Sequence, residues 1–293
     1  MYERSEVVEL SGSTWKARPV VAWFGATSSN ASRRFVLVHG NPSNISEWEH
    51  TISALRVLGE VLAIDMPGFG RSEPLLGAVP TLNNFAEVIA RLAQTRGWTQ
   101  VDIVGQSHGG LVGHTVAARH PELVRSVVLL GTGGTPAHLS YRLLPLPGVK
   151  TLLGSATSAG LVSSRAFRPL LRRVVEHSAR SVFAPDLVPR GFVEAQVKEL
   201  VERPHILRTM VEVSLDGPCV QVARQASRVQ APCLFVHGRG DELVPIEYAR
   251  RLCALTSATC ATRFVALGGG HMVHLARPSV VNPLLISWLR ELA

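Results

Sequence analysis

The chain has 293 residues, of which 46% are hydrophobic and 18% charged, and this composition excludes a disordered or fibrous protein. Its formal net charge is +8, but no lysine- or arginine-rich run interleaves with aromatic residues, which make up only 6% of the chain. We therefore expect a globular protein whose excess charge lies on a solvated surface and which has no nucleic-acid partner.

The N-terminus and the cysteines bear on the cellular compartment of the protein and on whether it binds a metal. Residues 1–6 include acidic side chains, where a secretory signal has a basic segment followed by an apolar one. No stretch reaches the roughly 18 consecutive apolar residues that a membrane-spanning helix needs. The four cysteines form no C-x-x-C pair and have no metal-ligand spacing to a histidine. We expect a cytoplasmic protein without a membrane span, a metal or another cofactor, and its oligomeric state stays open.

Short β-branched segments alternate along the chain with longer segments of helical period. This pattern predicts an α/β fold, a mostly parallel twisted sheet with helices on both faces. An antiparallel hairpin over residues 7–23 is expected at the edge of that sheet. The predicted strands are Arg34–His39, Gly59–Asp65, Gln100–Gly105, Arg125–Gly131 and Ala231–His237. The predicted helices are Thr81–Arg96, Leu111–His120, Ile246–Leu255 and Ser279–Glu291.

The alternation of strand and helix stops between residues 136 and 217. Prolines divide this stretch into short amphipathic helical segments, and it contains no clear strand. We interpret it as an inserted helical cap, residues 136–217, which divides the core into residues 1–135 and 218–293. Apolar cap residues such as Leu143 and Leu161 either line a substrate pocket or pack inside the cap. Arg168, Arg172 and Arg173 either meet an anionic substrate or face solvent.

The strongest chemical signal is the segment Gly105-Gln106-Ser107-His108-Gly109, which stands between a predicted strand and a predicted helix. It matches the G-x-S-x-G nucleophile elbow in the strand–turn–helix context that the motif needs. A side chain at Gly105 or Gly109 is expected to collide with neighbouring backbone. The turn also aims the amide groups of a helix N-terminus at the serine, which favours developing negative charge there.

Further loops follow other predicted strands, notably His39-Gly40-Asn41-Pro42 and His237–Pro245, and Gly268–Pro278 lies near the C-terminus. With the elbow, these motifs resemble the α/β-hydrolase superfamily over nearly the whole chain outside the cap. Within this superfamily, the chain resembles serine-nucleophile esterases and lipases or C–C bond hydrolases with a helical cap. The resemblance implies a catalytic triad of Ser107 as nucleophile, Asp241 as acid and His271 as base.

The chemistry leads to the same types of residue. A serine hydroxyl is a poor nucleophile unless an imidazole accepts its proton, and that imidazole needs a carboxylate to fix its tautomer. His274 is a rival to His271 as the base. The adjacent Glu242 is a rival to Asp241 as the acid, and Asp65 and Asp102 are further carboxylates for which structural roles are expected. Activity is expected to rise with pH, because neutral imidazole is the base.

The oxyanion hole is expected to consist of the backbone N–H groups of Asn41 and His108. The side chain of Asn41 either adds a donor toward the substrate or bonds the turn at Pro42-Ser43. The residues that bind the rest of the substrate stay unknown.

The His-Gly-Asn-Pro loop also resembles that of haloalkane dehalogenases, and epoxide hydrolases have a similar loop. Both of those families use an aspartate nucleophile, whereas a serine at position 107 would form a stable alkyl ether. Acyl chemistry therefore remains, with a carboxylic ester as the favoured substrate, a thioester or lactone open, and the C–C bond of a ring-cleavage dienone as the alternative. A ligand receptor that retains the triad but turns over slowly is a third hypothesis.

Overall fold

A computed structural model describes residues 4–133, 160, 163–216 and 218–292. Its strands are β1 Arg4–Val7, β2 Leu10–Ser11, β3 Lys16–Ala17, β4 Val20–Phe24, β5 Arg33–Val38, β6 Gly59–Asp65, β7 Val101–Gln106, β8 Val124–Leu130, β9 Cys233–Gly238 and β10 Thr262–Leu267. Apart from β2 and β3, which pair with each other, they form one eight-stranded sheet in the order β1-β4-β6-β5-β7-β8-β9-β10. β4 is antiparallel to both β1 and β6, and all other neighbours are parallel.

Helices cover both faces of this sheet. They are α1 Glu49–Leu55, α2 Leu82–Thr95, α3 His108–Arg119, α4 Arg168–Phe183, α5 Phe192–Glu202, α6 His205–Leu215, α7 Pro218–Gln225, α8 Ile246–Thr256, α9 Val273–Ala276 and α10 Pro278–Glu291. Alternate residues of β5 show why its sequence is almost continuously apolar. Val36 and Val38 pack into the core with α2 and α3, and Phe35 and Leu37 pack into the opposite core with α1 and α10. The predicted α/β class is confirmed.

The ends of the predicted elements agree with the structure to within three residues. Val7 and Val20 are paired in the antiparallel register of β1 and β4, so the predicted edge hairpin is confirmed. Helix α3 begins at His108, earlier than predicted, directly after the predicted nucleophile. Strand β10 was not predicted, because as an edge strand it is only partly buried and carries Thr262 and Arg263 among its apolar residues.

Helices α4, α5 and α6 stand between β8 and β9, and no strand occurs among residues 163–216. The division into core and cap at residues 135/136 and 217/218 stays a prediction, and Leu143 and Leu161 lie outside the described residues. Arg168, Arg172 and Arg173 are exposed, and Arg172 is paired with Glu176 at 2.7 Å and with Glu194 at 2.9 Å.

In the part of the chain that the structure describes, no helix is long and apolar enough to cross a membrane.

Candidate active site

Ser107 occupies the sharp turn between β7 and α3. Its backbone has φ 51° and ψ −117°, and it is the one non-glycine residue with a positive φ within the described ranges. This backbone conformation is unfavourable in free energy for a residue that has a side chain, and it persists only where the surrounding structure imposes it. A Cβ at Gly105 would collide with the backbone of Gly109, and a Cβ at Gly109 with the carbonyls of Val38 and His39. The predicted reason for both glycines is thus confirmed.

His39 and Gly40 lie at the end of β5, beside the elbow. The His39 ring bridges two loops, because Nδ1 donates to the Gly40 carbonyl at 2.7 Å and Nε2 accepts the Met66 N–H at 2.9 Å. A Cβ at Gly40 would lie 3.4 Å from the Cβ of Ser107. The backbone of the His39–Pro42 segment therefore passes directly against the predicted nucleophile.

The side chain of Asn41 contacts the segment between β8 and β9, and the two roles considered from the sequence stay predictions. Its Nδ2 donates to the carbonyl of Met210 in α6 at 3.3 Å. The backbone N–H of Asn41 and that of His108, the first residue of α3, stand on the two segments that flank Ser107. These two donors remain the candidates for an oxyanion hole.

The structure brings Asp241 and His271 into contact. His271 Nδ1 donates to Asp241 Oδ2 at 2.8 Å, and both side chains are almost completely buried. Burial by itself raises the pKa of Asp241, but the interaction with His271 and the hydrogen bond from His237 outweigh it, so the pKa lies well below its usual value. The carboxylate is therefore ionised, and the bond to Nδ1 leaves Nε2 of His271 available as a proton acceptor.

Ser107 and the loop of His271 both lie against the end of β8. The N–H of Ser107 donates to the carbonyl of Leu130 at 2.8 Å. A Cβ on the next residue, Gly131, would lie 2.7 Å from the carbonyl oxygen of His271 and 3.4 Å from its Nδ1. Thr132 Oγ1 then donates to the Ser107 carbonyl at 3.1 Å. Three consecutive residues, 130–132, thus lie against the elbow or against the His271 loop.

His237 is a member of this cluster that sequence analysis missed. Its Nε2 lies 3.2 Å from Asp241 Oδ2 and donates to the Val244 carbonyl at 2.8 Å. Oδ1 of Asp241 accepts the N–H groups of Leu243 at 3.0 Å and Val244 at 2.8 Å. Donors thus surround both oxygens of the carboxylate. The available signal was the position of His237 at the end of β9, four residues before Asp241.

The rival residues have other partners. His274 contacts Glu47 at 3.2 Å rather than Asp241, and Glu242 is exposed. Asp65 accepts the N–H of Ile45 at 2.7 Å and of Arg71 at 3.0 Å, so it ties loops together as expected.

Asp102 lies at the opposite end of the sheet, at the beginning of β7. It accepts hydrogen bonds from Arg33 at 3.0 Å and from Ser126 at 2.6 Å. Burial raises its pKa despite these bonds. Its position separates it from the end of β7, where Ser107 stands.

The side chain of His108 is neutral at physiological pH. Burial, together with the nearby His39 ring, lowers the pKa of His108 to about 3. The ring packs edge-on against Phe85, with 5.9 Å between the ring centroids. His108 therefore adds no positive charge beside the nucleophile.

Helices α4 and α6 reach both loops of the site. Besides the contact of Asn41 with α6, the N–H of Met272 donates to the carbonyl of Val182 in α4 at 3.2 Å. Asp186, just after α4, receives hydrogen bonds from Nη2 of Arg277 at 2.8 Å and from its Nε at 3.0 Å. The segment between β8 and β9 thus lies against the elbow side and against the His271 side.

Within the described ranges, no group of three or more histidine, cysteine, aspartate or glutamate side chains is arranged to hold a metal ion.

Comparison with known proteins identifies the family of this chain. The family model for the alpha/beta hydrolase fold matches residues 33–278. This chain belongs to that family. A curated relative from Pseudomonas sp., a 2-hydroxy-6-oxononadienedioate/2-hydroxy-6-oxononatrienedioate hydrolase, is 23% identical over 267 residues, 89% of each chain. Relatives such as this one are named hydrolases, and this chain is an enzyme of the hydrolase class.

Two solved structures have the same fold. The enol-lactonase from Burkholderia xenovorans LB400 superposes with a TM-score of 0.73 at 19% identity, covering 94% of this chain and 97% of that one. The 2-hydroxy-6-oxo-6-phenylhexa-2,4-dienoate hydrolase from Rhodococcus sp. strain RHA1 superposes with a TM-score of 0.70 at 24% identity, covering 98% and 100%.

Proposed function

We propose that this protein is a serine hydrolase that cleaves an ester-type acyl bond of a small, partly apolar substrate through an acyl-enzyme on Ser107. His271 is the general base and acid, and Asp241 orients it. The backbone N–H groups of Asn41 and His108 form the oxyanion hole. The single observation that carries the proposal is the buried bond of 2.8 Å from His271 Nδ1 to Asp241 Oδ2, next to the strained elbow at Ser107.

The reaction follows from these positions. Nε2 of His271 takes the proton of the Ser107 hydroxyl while the oxygen attacks the substrate carbonyl carbon. The resulting oxyanion is stabilised by the two N–H groups, each of which is worth about 3 kcal/mol in the transition state. Collapse of this intermediate expels the alkoxide, which takes the proton from His271. Water then releases the acyl group by the same route, and Ser107 regains its proton.

The test is hydrolysis of p-nitrophenyl esters of graded chain length by wild type and by Ser107→Ala. Turnover is expected for wild type and a loss of several orders of magnitude for the variant, because alanine removes the nucleophile. Repeated turnover also distinguishes an enzyme from a slow receptor, in which product formation stops after one equivalent. Equal hydrolysis by wild type and Ser107→Ala would refute the proposal.

A second candidate is C–C bond hydrolysis, favoured by the names of the relative from Pseudomonas sp. and of the Rhodococcus structure. The substrate named for the relative is a dioate, which carries two carboxylates. Cleavage of a C–C bond also differs from ester hydrolysis in its leaving group, because the carbon atom that leaves must be protonated. The geometry of Ser107, Asp241 and His271 serves either reaction, so their measured rates decide between them.

The two candidates are distinguished by their specificity constants. The kcat/KM for a p-nitrophenyl ester and the kcat/KM for a 2-hydroxy-6-oxo-dienoate are measured with the same enzyme preparation. We expect the ester value to be larger. A dienoate value larger by about tenfold or more would assign C–C hydrolysis, provided that Ser107→Ala abolishes it.

A further inference from the structure

A second buried acid–base pair lies beneath the candidate active site. Nε2 of His274 lies 3.2 Å from Oε1 of Glu47, and the two side chains are 0% and 1% exposed. Glu47 belongs to a short 3₁₀ helix, Ile45–Trp48, and His274 lies in α9, three residues after His271. The ring of Trp48 packs on the ring of His274, with 5.2 Å between centroids. The pair therefore joins the segment after β5 to the loop that carries His271.

Glu47 also holds the segment that contains Asn41. Its Oε2 accepts a long hydrogen bond of 3.4 Å from the N–H of Gly40. The side chain of Ser43 is a further hydrogen-bond partner of Glu47. These two contacts lie on either side of Asn41 in the chain, so the carboxylate is bound to the loop both before and after that residue.

On its other side, Gly40 lies close to the elbow. A Cβ there would collide with Oε1 of Gln106 and would lie 3.4 Å from the Cβ of Ser107. Gly40 thus fits between the elbow and the Glu47 carboxylate. A shift of this carboxylate moves the backbone that carries the Asn41 N–H relative to Ser107.

Glu47 bears its charge inside the protein. Burial by itself raises the pKa of Glu47, but the contact with His274 and the hydrogen bond from Ser43 outweigh burial and lower it. A buried ionised carboxylate needs a partner, and the loss of that partner leaves the charge of the carboxylate uncompensated. We therefore expect the chain to rearrange locally when either Glu47 or His274 is replaced.

We propose that the buried Glu47–His274 pair is a positioning element, which holds the Asn41 N–H at the oxyanion position and keeps this loop in register with the loop of His271. The inference rests on the proposed serine hydrolase function. Neither side chain touches the reacting atoms. Their effect passes through Gly40 and Ser43 to the donor. Misplacement of a catalytic group by about 1 Å can cost about a hundredfold in rate, and this sets the upper end of the expected effect.

The chain offers a matched control in Arg33 and Asp102. This pair is also buried and has an N–O distance of 3.0 Å, but it lies at the opposite end of the parallel strands. Asp102→Asn therefore removes a comparable buried charge without touching either loop of the site. Both Glu47→Gln and Asp102→Asn are expected to lower the melting temperature, but only the first is expected to change the chemistry.

The experiment measures kcat and KM for a p-nitrophenyl ester and the inhibition constant of phenylboronic acid. The boronate forms a tetrahedral anion on a nucleophilic serine and so reports on the oxyanion hole, whereas KM reports on ground-state binding. For Glu47→Gln we expect kcat to fall about tenfold to a hundredfold, boronate affinity to fall in parallel, and KM to stay within about threefold. Asp102→Asn is expected to keep all three values within about threefold.

His274→Gln and the double variant Glu47→Gln/His274→Gln are measured in the same way, so the test does not depend on the folding of one variant. The double variant has a neutral pair of amides in place of the Glu47–His274 pair. Its loss in kcat is expected to be no larger than that of the worse single variant. Unchanged kcat in the folded variants would overturn the inference, and so would losses in kcat matched by Asp102→Asn. Both results leave Ser107-dependent turnover in wild type intact. Turnover that Ser107→Ala does not affect would instead refute the proposed function, and the inference with it.

Discussion

Replacement of Asp241 by asparagine tests the proposed triad most directly, because the structure indicates how the amide would sit. Oδ1 accepts two backbone N–H groups, from Leu243 at 3.0 Å and Val244 at 2.8 Å, and Oδ2 faces the imidazoles of His271 and His237 at 2.8 and 3.2 Å. An asparagine has one acceptor oxygen. The backbone donors are fixed by the turn, so the oxygen faces them and the NH₂ group faces the imidazoles.

This orientation gives His271 the wrong tautomer. Its Nδ1 must then accept a hydrogen bond from the amide, so the proton of the neutral ring moves to Nε2. A protonated Nε2 cannot take the proton of Ser107. The expected loss in kcat is about 10⁴-fold, which corresponds to ~5.4 kcal/mol of transition-state stabilisation.

The assay is steady-state hydrolysis of a p-nitrophenyl ester, with thermal melting of each variant as a check of folding. Asp102→Asn serves as the control, since Asp102 is also buried and hydrogen-bonded but lies at the other end of β7. We expect the control to stay within about threefold of wild type in kcat/KM. A loss of less than tenfold for folded Asp241→Asn would refute the tautomer argument, and an equal loss in both variants would attribute it to general destabilisation.

Three further predictions follow from the site and the core. Burial lowers the pKa of His114 from 6.5 to about 4, so the unfolded chain binds this proton first and stability falls as pH drops below about 6.5. Between pH 6.5 and 5 the protonation of the unfolded chain at His114 lowers the free energy of unfolding by ~2 kcal/mol. Urea titrations of His114→Gln are expected to lack this part of the pH dependence of stability. A pH dependence equal to that of wild type would contradict the argument. Gly109→Ala is expected to lower the rate at which a fluorophosphonate labels Ser107 at least tenfold, because the added methyl group collides with the carbonyl of Val38. Labelling at the wild-type rate would contradict the elbow geometry. His271→Ala is expected to lose about as much activity as Ser107→Ala, and the double variant little more, since the two act as one unit; losses that multiply would show independent roles.

Much of the fold was predictable because its determinants are local. Central parallel strands are buried on both faces, and the sequences of β5 and β7 are accordingly apolar over most of their central positions. The elbow was predictable for a steric reason, since only glycine fits where β5, β7 and α3 approach one another at Gly105 and Gly109. Strand β10 was not predicted, because an edge strand is only partly buried and does not need an apolar residue at every position.

The choice between His271 and His274 could not be made from the local sequence. Both follow the same glycine-rich segment, and their partners lie elsewhere in the chain, Asp241 at a separation of 30 residues and Glu47 close to the other end. Only the packing of α9 against the 3₁₀ helix assigns each imidazole its carboxylate. The resemblance to the family indicated His271, but it contained no information about Glu47.

The sequence by itself determined the class of fold, the strained serine turn and the order of the candidate residues, because backbone sterics and apolar patterning act over short distances. The tertiary structure alone decided which polar groups meet. It placed His237 beside Asp241, Asn41 against the Met210 carbonyl, and Glu47 beneath Gly40. Buried polar groups must find partners, and in this protein those partners come from different loops that only the folded sheet brings together.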